Sequence, residues 1–230
     1  MRMLALLVLL LQAKENAWEA APRVREYGWM STSVWKGMHE GFLKRAKEGK
    51  CDLLFLGDSI TQGWGNNEVW KKSYAPRNAV NFGIGGDTTQ NVLWRIQNGE
   101  LDGLAPKVVV LMIGTNNFGL HGDAPADVAK GVAAITRTLR EKLPASKILL
   151  LGVFPRDEKP GTGGRKKILE LNAELAKIGD VSFLDIGAKF LAADGTLPKD
   201  VMPDFLHLSE KGYEIWADAI EPWVSQAMAK

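Results

Sequence analysis

The chain has 230 residues, 46% of them hydrophobic and 24% charged, with a formal net charge of +2. That composition suffices for one substantial core, and the intermixed acids and bases leave no electrostatic footprint for nucleic acid or an anionic membrane surface. A lone cysteine, Cys51, excludes a disulfide framework and a metal site built on a thiolate pair, and its place before an apolar run assigns it to core packing.

In chain order, Met1-Arg2 and the apolar stretch Met3 to Leu11, with small residues at Ala13 and Ala17, have two readings. One is a signal peptide over residues 1–17, which would send the protein to the periplasm or outside the cell; the other is a helix docked on the body, which leaves it in the cytoplasm. Either way the stretch is too short to span a bilayer. One domain is expected over residues 18–230. It opens on a segment rich in tryptophan, Trp18, Trp29 and Trp35, that suits a homodimer surface or a lid, and a helical pattern through Met38, Phe42, Leu43 and Ala46 follows.

From there the chain alternates. The runs Leu53 to Leu56, Ala79 to Phe82, Val108 to Ile113, Ile148 to Phe154 and Val181 to Leu184 have the length and branched content of strands buried on both faces. Asp87 with Gln90 resembles a capping box before the helical spacing of Val92, Leu93 and Ile96. Further helices are expected over Ala126 to Leu143, over Lys166 to Ile178 with Leu169, Leu171 and Leu175 on one face, and over Ser209 to Met228. Five repeats of strand then helix predict a parallel sheet with helices on both faces. The breaker-rich stretch Pro155 to Gly164 reads as a mobile loop beside the site.

In an open α/β sheet, ligands bind beyond the carboxyl ends of the strands. Four polar clusters stand there: Gly57-Asp58-Ser59-Ile60-Thr61, Gly83-Ile84-Gly85-Gly86-Asp87, Gly114-Thr115-Asn116-Asn117 and, near the C-terminus, Asp204-Phe205-Leu206-His207. Ser59 lies at a strand-to-helix turn, where free N–H groups can stabilise an oxyanion, but a serine hydroxyl needs a base. Of three histidines only His207 has a carboxylate three residues before it and a helical segment after it. That spacing lets Asp204 hold Nδ1–H and leaves Nε2 free for the serine proton. Gly85-Gly86 is either a tight turn or a close backbone approach to a ligand, and the Asn116 amide is a donor suited to an oxyanion hole.

Other motifs fail on detail. A dinucleotide fingerprint needs glycine where Thr88 stands, no P-loop lysine follows Gly86, and Thr61 occupies the last position of the usual G-x-S-x-G elbow. His39 and His121 lack partners at ligand spacing, so no metal is expected.

The four clusters, in this order and spacing, resemble the blocks of the SGNH (GDSL) hydrolases. Asn81 to Thr89, Val92 to Arg95, Asn98 to Leu101 and Asp204 to Leu208 are similar to the platelet-activating factor acetylhydrolase Ib catalytic subunits and their bacterial relatives within that family. The resemblance implies an α/β fold of flavodoxin-like, three-layer α/β/α type, with a five-stranded parallel sheet ordered 2-1-3-4-5. It further implies no cofactor, Gly86 as the oxyanion glycine beside Ser59 and Asn116, and hydrolysis of acyl esters of a small molecule, an acetylated carbohydrate or lipid. Ile60, Thr115 and Leu206, neighbours of these residues, are expected to crowd the acyl pocket and favour acetyl. The competing expectations are a non-catalytic binding or assembly module on the same fold, and a transacylase or thioesterase using the same residues.

Overall fold

A computed structural model describes residues 15–229 of the chain. Five parallel strands, β1 (Leu53–Gly57), β2 (Ala79–Gly83), β3 (Val108–Met112), β4 (Lys147–Leu151) and β5 (Ser182–Leu184), form one sheet in the order β2-β1-β3-β4-β5. β1 and β3 are buried at every residue, as their unbroken apolar runs require of central strands covered on both faces, while the short edge strand β5 is partly open.

The two-residue strand period divides the core in two. Leu54, Leu56, Val109, Leu111, Ile148 and Leu150 point to the face covered by α4 (Thr89–Gln97), α5 (Pro125–Lys142) and α6 (Gly163–Leu175). Leu53, Phe55, Val108, Val110, Leu149 and Leu151 point to the other, where α3 (Glu68–Ser73) and the C-terminal α7 (Glu210–Met228) pack. On that face Phe55, Trp64, Trp70, Tyr74, Tyr213 and Trp216 form a contiguous aromatic cluster. The helix α1 (Thr32–Lys47), capped by Ser31, buries Trp35, His39 and Ala46. The short α2 (Ser59–Gln62) follows β1 directly.

Four details depart from the sequence expectation. β4 ends at Leu151 rather than Phe154: Asn172 on α6 accepts from Val153 N–H at 2.8 Å and donates to Val153 C=O, replacing a ladder partner. The cap of α4 is Thr88, not Asp87; Asn91 Oδ1 accepts from Thr88 N–H, and the Asp87 carboxylate is taken by other partners. α6 starts three residues early because Thr162 accepts from Arg165 N–H, and its buried stripe is Ile168, Leu171 and Leu175, leaving Leu169 exposed. The loop after β4 is tied down, since Asp157 N–H bonds the Phe205 carbonyl at 3.0 Å and Arg165 bonds the Arg156 carbonyl.

Cys51 is buried, and burial pushes its thiol up to about 12. Among the described residues no helix is long and apolar enough to cross a membrane. The apolar leader lies outside the described residues up to position 14; from Ala17 the chain is packed on the body, its carbonyl accepting from the Thr89 hydroxyl at 2.7 Å.

The strand order reverses between β1 and β3, so the ligand crevice of this topology lies past their carboxyl ends. Close packing there depends on Gly83, where an added methyl would stand 2.2 Å from Gln62 N and 2.7 Å from Thr61 C, both backbone. Gly83→Ala should therefore displace α2, lowering stability by about 1–3 kcal/mol in a denaturant titration.

Candidate active site

The turn after β1 leaves the Ser59 hydroxyl uncommitted to the helix. Asp58 is the N-cap: its Oδ1 accepts from Ile60 N–H at 3.0 Å, and Ser59 becomes the first helical residue, with a backbone N–H that needs no intrahelical partner. Ser59 Oγ is 2.9 Å from His207 Nε2. His207 Nδ1 is in turn 2.6 Å from Asp204 Oδ2, while Asp204 Oδ1 accepts from the backbone N–H of His207 at 2.7 Å and of Leu206 at 3.0 Å.

The turn bearing His207 is held in several places. Phe205 adopts φ +60, a left-handed conformation costly for a bulky side chain, which lets the Asp204 carboxylate meet both following N–H groups. Ser209 caps α7, and Tyr213 one turn later donates its hydroxyl to the Ile60 carbonyl at 2.7 Å. That bond joins the nucleophile turn to the helix that follows the histidine.

The loop after β2 supplies the facing wall. A methyl on Gly85 would lie 3.7 Å from Ser59 Cβ, so the loop abuts the serine. Gly86 has φ +74 and the Trp29 ring directly over it, 2.3 Å from where a Cβ would stand, so only glycine fits. The Gly86 N–H has no protein acceptor among the described residues. Asn116, after β3, donates to the Asp87 carbonyl at 3.0 Å, which leaves its second amide hydrogen for the cleft. The next residue, Asn117, is buried and bonds Thr89 and Asp123, anchoring a π-helical turn, Asn117–His121, whose Gly119 and Leu120 also face the cleft.

Ser59, Gly86, Asn116, Leu206 and His207 thus share one cleft of about 500 Å³ with Trp29, Met30, Gln62, Gly85, Gly119, Leu120 and Arg156. Of the three residues expected to crowd an acyl pocket, Leu206 lines this cleft. Ile60 is buried in the aromatic core beneath it, and Thr115 is buried with its hydroxyl accepting from Arg156 at 3.2 Å. The residues that replace them, Trp29, Met30, Leu120 and Arg156, carry no motif. Arg156 stands in the loop rich in breakers, and Trp29 in the tryptophan-rich segment that suits a homodimer surface or a lid, which were the only signals available.

Beneath the Gly85–Gly86 turn lies a buried ion network. Asp87 Oδ1 accepts from Arg23 at 3.0 Å and from Trp35 Nε1 at 2.7 Å, and Oδ2 accepts from Arg95 Nε at 2.8 Å. Arg95 also bonds Glu100, whose other oxygen meets His39 Nδ1 at 2.8 Å, so His39 belongs to this network. Among the described residues no group of three or more His, Cys, Asp or Glu could hold a metal ion.

Burial raises the Asp204 carboxyl, but the hydrogen bonds from the His207 ring, from the backbone N–H groups of His207 and Leu206 and the charge of His207 outweigh it, and the group sits below its ordinary value. It therefore stays an acceptor for Nδ1–H. Asp58 goes the other way.

The comparisons fit this geometry. Residues 55–215 match the GDSL-like lipase/acylhydrolase family. The rat platelet-activating factor acetylhydrolase IB subunit alpha2 is 42% identical over 182 residues, 78% of each chain, and the human subunit alpha1 is 39% identical over 183 residues, again 78% of each. Among solved structures, one titled a putative platelet activating factor from Streptococcus pneumoniae superposes with a TM-score of 0.68 at 21% identity, covering 84% of this chain and 95% of its own. An acetylxylan esterase from Geobacillus stearothermophilus gives 0.60 at 20% identity, covering 74% and 92%. At such identities the superpositions speak for the fold. The chain is an α/β ester hydrolase whose cleft opens past the strand ends. It belongs to the GDSL-like lipase/acylhydrolase family.

Asp58 provides a pH test. Complete burial pushes its carboxyl from 3.8 up to about 7, and its Oδ2 has no partner among the described residues. Between those values the folded protein holds a proton that the unfolded chain has released, so this group's contribution to stability falls as pH rises from about 4 to about 7 and is level above. Asp58→Asn keeps the cap acceptor and removes the titration. Its stability relative to the parent should rise across that window by about 1.4 kcal/mol per pH unit in urea titrations. A difference independent of pH would refute the assignment.

Proposed function

We propose that the protein is a serine esterase that removes short acyl groups, acetyl above all, with Ser59 as nucleophile, His207 as general base and Asp204 orienting the imidazole. One observation carries this reading, the unbroken hydrogen-bonded chain from Ser59 Oγ through both ring nitrogens of His207 to Asp204.

In the reaction, His207 Nε2 takes the Ser59 proton as Oγ attacks the ester carbonyl, and the carbonyl oxygen becomes an oxyanion. The backbone N–H groups of Ser59 and Gly86 and the free Asn116 amide hydrogen donate to it. Collapse expels the alcohol with the proton from His207 and leaves an acyl-Ser59 ester. Water, losing its proton to the same imidazole, then releases the acid and restores the serine. Asp204 remains ionised throughout, and its charge favours the imidazolium formed at each attack.

The preference for acetyl is supported by the names of the relatives, an acetylhydrolase and an acetylxylan esterase, which share that acyl group. Leu206, beside the histidine, is the side chain that limits acyl length in this reading. The alcohol half, a carbohydrate or a lipid, lies along the remainder of the cleft against Trp29, Met30 and Arg156.

Ser59→Ala should abolish hydrolysis of p-nitrophenyl acetate, and an active Ser59→Ala protein would end this proposal. Asn116→Ala should lower kcat about 10²- to 10³-fold, the loss typical of one oxyanion donor. Across acetate, butyrate and octanoate esters of one alcohol, kcat/KM should fall with chain length; a maximum at octanoate would refute the acetyl preference. Product analysis with added methanol separates an esterase from a transacylase, since the esterase yields mainly free acid.

A further inference from the structure

In the loop from Gly85 to Asp87, the backbone groups of Gly85 and Asp87 all have partners. Gly85 N–H donates to Gln62 Oε1 at 2.7 Å, Asp87 N–H to the Ile84 carbonyl at 3.1 Å, and the Asp87 carbonyl accepts from Asn116. The Gly85 carbonyl accepts from Arg23 Nη2 at 2.7 Å. The same nitrogen is 3.0 Å from Asp87 Oδ1, so one guanidinium straddles Gly86.

The Gly85 carbonyl and the Gly86 N–H are the two ends of a single planar trans peptide and point in opposite directions. A cation fixed on the oxygen end therefore fixes where the N–H end points, away from buried Arg23 and toward the cleft that Gly86 lines. It also draws electron density through the peptide, making the N–H a stronger donor. Such a clamp is needed at this position because glycine on both sides leaves the peptide free to rotate to the reverse orientation, which would present a carbonyl to the developing oxyanion.

We propose that Arg23 is a positioning residue for catalysis, holding the Gly85–Gly86 peptide so that the Gly86 N–H faces the oxyanion. The inference rests on the assignment of the Gly86 N–H as an oxyanion donor. Arg23 lies outside the matched residues 55–215, on the N-terminal segment that also brings Trp29 over Gly86. Two further nitrogens of its guanidinium, Nε and Nη1, are buried with no partner among the described residues. Tyr27 and Trp35 pack within 5.6 and 6.0 Å of the guanidinium, holding it in place from the side chains around it.

Arg23 also balances the network charge, so the test must separate charge from orientation. The double variant Arg23→Met with Asp87→Asn removes one cation and one anion, leaving Arg95 with Glu100, and is read against Asp87→Asn alone, which keeps Arg23 beside the Gly85 carbonyl. It should fold with a melting temperature near that of Asp87→Asn, label at Ser59 with an organophosphate to full stoichiometry, and still show kcat per labelled site 10- to 100-fold below that of Asp87→Asn with KM within about twofold, part of the loss seen when a whole oxyanion donor is removed. Affinity for an acetyl-sized trifluoromethyl ketone, whose adduct carries the oxyanion, should fall by the same factor. The single variant Arg23→Lys retains charge and a donor and should recover part of kcat even if the double variant does not fold. A double variant with the kcat per site of Asp87→Asn, a loss of kcat without loss of ketone affinity, or Arg23→Lys no better than the single variant Arg23→Met would each overturn the proposal. Absence of Ser59 labelling in the parent would instead overturn the nucleophile assignment on which it rests.

Discussion

The Asp87 carboxylate has no contact with water, and a charge in that position is tolerable only with full compensation. Its partners come from four parts of the chain: Arg23 before the first helix, Trp35 on α1, Arg95 on α4 and, through its carbonyl, Asn116 after β3. Burial raises this carboxyl above its ordinary value, and the charges of Arg95 and Arg23 with the Trp35 hydrogen bond counter part of that rise. Because Asp87 directly follows the Gly85–Gly86 turn, the same contacts that compensate the charge also determine where that turn sits relative to Ser59. The stability of the ion network and the geometry of the cleft are one problem.

On the opposite side of the nucleophile, the constraint is steric. Gly57 and Gly83 end the two neighbouring strands β1 and β2, and their missing side chains let α2 lie on the sheet within contact of backbone atoms. The aromatic cluster beneath, centred on Phe55 and Trp216, holds α7 against this turn, with the Tyr213 hydroxyl as its polar fastening. A histidine on the segment leading into α7 is thereby carried to a serine 148 residues earlier in the chain.

Much of the architecture was legible because buried parallel strands and amphipathic helices have different periods. The five apolar runs became the five strands, and the polar clusters after them became the cleft wall. Where the sequence expectation slipped, a side chain had competed with the backbone: Asn172 took the ladder position after Leu151, and Thr88 rather than Asp87 capped α4 because Asp87 was committed to arginines. Leu169 was misplaced because a helical repeat of leucines shows that a face exists without showing which residue turns toward the sheet.

The sequence by itself determined the class of fold, the candidate nucleophile with its base and carboxylate, and the candidate asparagine beside them, since each depends on residue type at a strand end or on spacing within one turn; the choice of Gly86 over Gly85 came from the family resemblance. Tertiary structure alone decided which side chains line the cleft. Trp29, Leu120 and Arg156 arrive from segments with no common motif, and Ile60 and Thr115, adjacent in sequence to Ser59 and Asn116, turn into the core. It also decided that Arg23 meets the Gly85 carbonyl, a contact across 62 residues that no local pattern encodes. Local rules govern what a segment becomes, whereas packing of distant segments governs which groups share a volume, and chemistry at a site depends on the second.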